Sequence, residues 1–221
     1  MRTIISDGSD QMDIIDFADA IPDRMFKYII FEACHMAGIE VAYQLKDKTQ
    51  YIIASSAEIV SPGFTAFYEN HVIQLLVGNP QGFIQTVFEY YNEQEGWKQS
   101  ATFSVIQTDV LSNLADFVKS HCDFSIQNTL DLSTIQHFDR GNGYLFCDFE
   151  DFYSRLLATA EEKQQLHTLV LQCVPWKGAT EWFMDGYNGF KISVHSGMTA
   201  YIQQARYSKL NENYKELEWA K

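Results

Sequence analysis

The sequence predicts an α+β fold: a single domain over residues 1–221, with a mostly antiparallel sheet covered by amphipathic helices. Three observations carry this reading. Helix-like and strand-like patterns are interspersed without the regular strand–helix beat of a doubly wound sheet. Two β-rich segments, IEVAYQL (39–45) and YIIASSAEI (51–59), flank the polar turn KDKTQ and read as an antiparallel hairpin. The chain has only four prolines and no Pro-, Gly- or Ser-rich linker, so its 221 residues suit one body that buries roughly 70% of its unfolded surface.

In chain order, residues 2–6 (RTIIS) read as a short strand closed by the turn DGSD, and residues 11–20 as a brief helix. A longer helix is expected from Pro22 to Gly38. Proline suits a first turn and glycine the position past the end. Between them Met25, Phe26, Ile29, Ile30, Ala33 and Ala37 recur at helical spacing. The hairpin follows. Residues 64–76 fit either a helix or a buried strand. Asn79 and Pro80 read as the cap and first turn of a helix running to about Gln94, with Phe83, Ile84, Val87, Phe88 and Tyr91 inward. SATFSVIQ (100–107) alternates as a strand does. Thr108 or Asp109 then caps a helix whose inner face is Val110, Leu111, Leu114, Phe117 and Val118.

DFSIQ and STIQHF read as strands. Asn142–Gly143 signals a type I′ turn with YLFC (144–147) returning. From Asp148, an N-cap with Asp151 in the first turn, a helical pattern runs to about Ala160. Residues 167–174 are either more helix or a strand stopped by Pro175. FKISVHS (190–196) reads as a strand after the turn DGYNG, and the last twenty or so residues as an amphipathic helix.

Charge bounds the function. Asp and Glu number 29 against 16 Lys and Arg, a formal net of −13, yet 46% of residues are hydrophobic, so the acid is carried by a folded body. Such a surface repels phosphate backbones and attracts basic partners. Direct nucleic-acid binding is therefore not expected, since no basic stripe is present to neutralise a phosphate run. No membrane association is expected either: no apolar run approaches the ~18 residues a span needs. The first ten residues carry no secretory pattern. The four cysteines (Cys34, Cys122, Cys147, Cys173) are scattered, with no C-x-x-C pair, as in a reducing compartment. A cytoplasmic location follows as the expectation.

No motif fixes a chemistry. Neither phosphate-binding glycine loop is present, and the six histidines show no H-x-x-x-H or H-E-x-x-H spacing. No metal or other cofactor is expected. Cys147 is the most interesting thiol because it precedes a helix start, which lowers a thiol pKa, but three nearby carboxylates oppose that. No catalytic residue is assigned. Acidic pairs such as Glu93/Glu95 and Glu181/Asp185 are common by chance in so acidic a chain.

The remaining signal is an acidic–aromatic belt, DRGNGYLFCDFEDFY (139–153), which offers a charged rim around aromatic anchors. Asp139, Asp148, Phe149, Glu150, Asp151 and Tyr153 are its candidate partner-binding residues. Asp13 and Asp16 join them from an aspartate-rich N-terminal stretch. These features point to an inhibitor of immunity or phage type, occluding a basic toxin or nucleic-acid enzyme. Two other readings stay open: an enzyme, hydrolase or transferase, whose site is assembled from scattered residues, and a structural or regulatory subunit. The oligomeric state is not fixed by the sequence.

Overall fold

A computed structural model describes residues 3–7 and 10–221, with side chains described from Met12 onward. The turn expected at 7–10 includes Gly8 and Ser9, which lie outside the described residues. Strand β1 (Thr3–Asp7) pairs antiparallel with β2 (Asp10–Asp13). Helix α1 (Ile14–Ala20) starts at once, because the Asp13 carboxylate accepts from the Ile15 and Asp16 amides at 2.9 and 3.0 Å.

The next segment departs from expectation. Residues 22–38 form no helix: they hold β3 (Phe26–Ile30) and a loop. FKYII is rich in the aromatic and β-branched types that favour a strand, and the apparent helical period came from reading strand and loop as one element. Gly38 is then not a helix end but the N-cap of α2 (Ile39–Gln44). The expected 39–45/51–59 hairpin is likewise replaced. Ile39, Val41, Ala42 and Leu45 are all buried, so the β-rich composition of this stretch serves a helix enclosed by its neighbours. Helix α2 is the crossover that brings β4 (Thr49–Ser55) parallel to β3.

Helix α3 (Thr65–Leu76) resolves the ambiguous stretch as helix, and α4 (Pro80–Asn92) starts where expected, with the Asn79 side chain accepting from the Gly82 amide at 3.0 Å. Strand β5 (Thr102–Gln107) and helix α5 (Leu111–His121) follow, with Leu111, Leu114, Phe117 and Val118 inward as read, but the expected cap is not there: Val110 is the N-cap, without a side-chain bond, and the Thr108 hydroxyl donates to the Thr49 carbonyl of β4 instead. The strand expected in DFSIQ is instead a 3₁₀ turn over Phe124–Thr129. STIQHF starts in a second one over Leu132–Thr134, but its later half does pair, His137 bridging Cys147 antiparallel, with the Phe138 amide on Phe146 O at 2.9 Å and the Asp148 amide on Gln136 O at 2.7 Å. Asp123 and Asp131 each hold the amide and hydroxyl of the serine two residues on, a local bond that competes with strand pairing.

Strand β6 (Cys147–Asp148) leads into α6 (Phe149–Ser154), which ends well before Ala160. A separate helix α7 (Ala160–Cys173) starts from a Thr159/Glu162 capping box. Then come β7 (Trp176–Ala179), the short pair β8 (Trp182–Phe183) and β9 (Phe190–Lys191), β10 (Thr199–Ala200) against β6, and α8 (Ser208–Tyr214). The strand expected over 190–196 thus shortens to two residues, and the terminal helix to seven.

The principal sheet has the order β3-β4-β5-β7. Its first pairing is parallel and the next two antiparallel, which gives the α+β architecture with a mixed four-stranded sheet. Alternate residues feed two cores. Ile52, Ala54 and Ile106 face helices α1, α2, α5, α6 and α7, while Ile53, Phe103 and Val105 face α3 and α4. Burial on both faces explains why β4 reads as a continuous apolar run rather than an alternating one. It also leaves the strand ends as the place where the chain can present polar chemistry.

Candidate functional site

Ligands of open sheets that contain parallel strands collect beyond the carboxyl ends of those strands. Here that place is the end of β3 and β4. After β3 the chain keeps contact with β4 through the Phe31 amide on Ile53 O (2.9 Å), bulges outward, and rejoins through His35 on Ala57 O and Ala37 on Ser55 O (both 3.0 Å). The bulge lifts Glu32, Ala33 and Cys34 to the surface, while Met36 and Ala37 return to the core. His35 turns the corner with φ +58°, a conformation a non-glycine residue holds only where its surroundings impose it.

Cys34 is the exposed member of the four free cysteines. Its Sγ accepts the Ile59 N–H at 3.4 Å, a contact that gains strength when the sulfur is negative. The other three thiols are poor nucleophiles. Burial, aided by Glu162 and Asp109 respectively, pushes Cys122 and Cys173 up to about 12. Cys147, the thiol singled out by sequence, is fully buried, and burial together with Asp139, Asp148, Asp151 and Glu40 pushes it well above the usual thiol range. Desolvation and carboxylates overwhelm whatever the helix start offers.

Beside the thiol runs the loop 56–64. Its near end hangs on Thr102, whose carbonyl and hydroxyl accept from the Ser56 and Ala57 amides at 3.0 and 2.8 Å. Its far end is tied by the Tyr91 hydroxyl, which accepts from Gly63 N at 2.8 Å and donates to Val60 O. Gly63 has φ +73°, and a Cβ there would come within 2.5 Å of Glu32 Oε1, so both conformation and space call for glycine. That Glu32 oxygen accepts from Phe64 N (2.6 Å), Thr65 N (2.9 Å) and Thr65 Oγ1 (3.0 Å). It thereby caps α3, whose own N-cap residue provides no side-chain bond. Glu32→Ala is expected to lower stability by about 1–2 kcal/mol, seen as a lower melting temperature. An unchanged melting curve would show the cap to be dispensable.

Behind the thiol, Ser56 gathers two imidazoles. His35 Nδ1 lies 3.0 Å from Ser56 O, with its ring stacked on Phe146 at 4.0 Å and 7°. His195 Nε2 lies 3.2 Å from Ser56 Oγ. Desolvation first, and the nearby Lys177 charge second, push His195 down to about 3, so it is neutral near pH 7.

Seven of the eight candidate partner-binding residues are buried or bonded within the fold, while Asp16 is exposed. Phe149, Phe152 and Tyr153 are buried, and the Tyr153 hydroxyl accepts from Trp219 Nε1 at 3.0 Å. Asp148 is fully buried at the N-cap of α6, where it accepts from the amides of Asp151 (3.1 Å) and Ser196 (2.6 Å). Glu150 pairs with His167 at 2.7 Å and Asp151 with Arg155 at 3.0 Å. Asp139 holds the amides of Leu145 (3.0 Å) and Phe146 (3.3 Å). Asp13 caps α1, and Asp16 lies in its first turn. The Asn142–Gly143 turn is not type I′ either: the positive φ values fall at Gly141 and Tyr144. Sequence reasoning missed the bulge because it buried Cys34 in a helix. The available signal was FKYII as a strand, followed by the small and reactive residues that end one.

Comparison with solved structures gives context to this geometry. A clostripain from Bacteroides thetaiotaomicron in complex with the peptide inhibitor BTN-VLTK-AOMK is 27% identical, with a TM-score of 0.77 over 97% of this chain and 95% of that one. An inactive zymogen C11 protease from Parabacteroides distasonis is 28% identical, with a TM-score of 0.78. The match covers 94% of this chain but 61% of that longer one. A B. fragilis cysteine protease shares the fold at 24% identity and a TM-score of 0.84, covering 97% and 94%. No curated protein matches. These likenesses correct the functional expectation. An occluding inhibitor of immunity or phage type with a basic toxin or nucleic-acid enzyme as partner is set aside, because the structures that share this fold are proteases, one of them holding a peptide inhibitor. The model of the clostripain family matches residues 5–221, nearly the whole sequence, and the chain belongs to that family.

Proposed function

We propose that this protein is a cysteine peptidase with Cys34 as its nucleophile. The observation that carries the reading is the thiol's placement: exposed at the carboxyl end of β3, with the Ile59 N–H on its sulfur, while the other three thiols are withdrawn into the body. The sulfur attacks the scissile carbonyl, an S–C bond forms as the C–N bond breaks, and the leaving amine takes the proton that the thiol gives up, leaving a thioester. Water then releases the acid and restores the thiol.

The substrate class is a peptide with a basic residue before the cut bond. The net charge of −13 favours the approach of a basic peptide. The exposed Glu32 carboxylate, two residues before Cys34, supplies local negative charge. The relative's inhibitor, with the letters VLTK before its AOMK group, accords with this.

The test is covalent capture. Incubation with a Lys-ended peptidyl acyloxymethyl ketone should add one peptidyl mass, mapped by digestion to Cys34. An Asp-ended counterpart should react at least ten times more slowly. Labelling that survives in Cys34→Ser, or that maps to Cys122, Cys147 or Cys173, refutes the assignment.

A further inference from the structure

We infer that the loop from Asp139 to Phe146 is a strap that positions the Cys34 sulfur, with Arg140 and Phe146 as its two positioning residues; this rests on Cys34 being the nucleophile. The strap touches the thiol's neighbours from both sides. Arg140 grips Glu58 with both arms of its guanidinium, Nε to Oε2 at 2.7 Å and Nη2 to Oε1 at 2.9 Å. Glu58 is joined by one peptide bond to Ile59, whose N–H lies on Cys34 Sγ. On the other side Phe146 stacks flat on His35, the residue that follows Cys34 and holds the left-handed corner. One end of the strap therefore fixes the donor to the sulfur, and the other fixes the backbone that carries the sulfur.

The strap is itself rigidly held. Asp139 folds back onto the amides of Leu145 and Phe146. Gln204 Nε2 donates to the carbonyls of Gly143 (3.0 Å) and Tyr144 (3.1 Å). Arg206 donates to those of Asn142 (2.7 Å) and Gly143 (3.0 Å). Gly141 and Tyr144 take positive φ to let the chain turn tightly between these anchors. Arg140 and Glu58 are each about one-third exposed, at 33% and 32%. A pair so placed has modest value for stability, but a planar two-bond grip fixes orientation. Small displacements of a reacting atom cost rate far more than binding. The strap's effect is therefore expected in the rate of reaction at sulfur and not in how tightly a peptide is held.

Charge reversal separates this from a general loss of structure. Arg140→Glu and Glu58→Arg should each slow inactivation by the Lys-ended ketone about tenfold at saturating reagent, with less than a twofold change in the half-saturating concentration. The double variant, which restores an opposite-charge pair, should return to within about threefold of the starting protein. Phe146→Leu should slow the step similarly, and Phe146→Tyr, which keeps a ring to stack, should retain it. The same series is run with iodoacetamide, following Cys34 alkylation at fixed pH. That arm reports on the sulfur whether or not peptides are accepted. Single variants as fast as the starting protein with both reagents, or a double variant no faster than the singles, overturn the strap. If iodoacetamide shows the predicted pattern but the peptidyl ketone leaves Cys34 untouched, the peptidase reading fails and the strap stands.

Discussion

Cys34→Ala is expected to abolish cleavage of Lys-containing peptides, lowering turnover by at least about a thousandfold, a conservative figure for the loss of a nucleophile. The melting temperature should stay within about two degrees. The two halves of this expectation have separate causes. Cys34 is exposed, and its hydrogen bond is a 3.4 Å contact from a backbone amide to sulfur, so its removal opens no cavity. Surface changes of this kind usually stay within about 0.5 kcal/mol. The chemistry, by contrast, depends on that atom: a thiol placed elsewhere cannot reach the same carbonyl.

The converse substitution sharpens the result. Cys147 and Cys173 are buried, at 0% and 1% exposure, so alanine there removes packed sulfur and should cost stability by about 1–2 kcal/mol. Turnover of the remaining folded protein should be unchanged. Peptide cleavage and melting temperature measured on the three single variants should therefore dissociate. Only Cys34→Ala should lose activity while keeping stability. If Cys147→Ala loses activity at full folded population, the nucleophile has been misplaced.

Why the sequence points to an inhibitor and not to Cys34 can be traced to particular residues. Elements framed by local chemistry were legible: Asn79–Pro80 opening α4, Asp148 capping α6, the alternation of β5 and the inner face of α5. These depend on bonds within a few residues, which composition and spacing record. The β3–α2–β4 unit was not legible because its signals conflict with its structure. IEVAYQL has strand composition but becomes a helix, since its surroundings bury every face and tertiary packing overrides propensity. Without the parallel pairing there is no carboxyl edge for Cys34 to stand on. The acidic–aromatic belt misled for a related reason. Phe149 and Tyr153 looked like interface anchors, but burial depends on which face meets the core, and sequence shows only that aromatics and acids adjoin. Net charge was a true property of the chain. It speaks to which peptides approach, not to whether the protein occludes or cleaves them.

The second large effect concerns His195 and Asp148, linked through Ser196, whose amide donates to Asp148 at 2.6 Å. Burial raises Asp148 from 3.8 to about 6 and lowers His195 from 6.5 to about 3, with Lys177 acting on both. The folded chain holds both groups neutral between about pH 4 and 6, yet the consequences for stability run in opposite directions. Between about pH 4 and 6 the folded chain holds a proton on Asp148 that the unfolded chain has lost, so this residue's contribution falls as pH rises. Over the same range the unfolded chain protonates His195 while the folded chain does not, so that contribution falls as pH drops. Each slope is about 1.4 kcal/mol per pH unit, and the two offset each other. The starting protein should therefore show little pH dependence from this pair across that window. Asp148→Asn uncovers the histidine, and its stability should fall by about 3 kcal/mol between pH 6 and 4 relative to the starting protein. His195→Gln uncovers the carboxylate, and its stability should rise by a similar amount over the same change. The double variant should be level again. Urea titrations at pH 4, 5, 6 and 7 on the four proteins measure these slopes directly, whatever the variants' absolute stabilities. Parallel pH profiles for all four would mean that neither group is held neutral by the fold. If both single variants depart from the starting protein's pH profile in the same direction, one of the two directions is wrong.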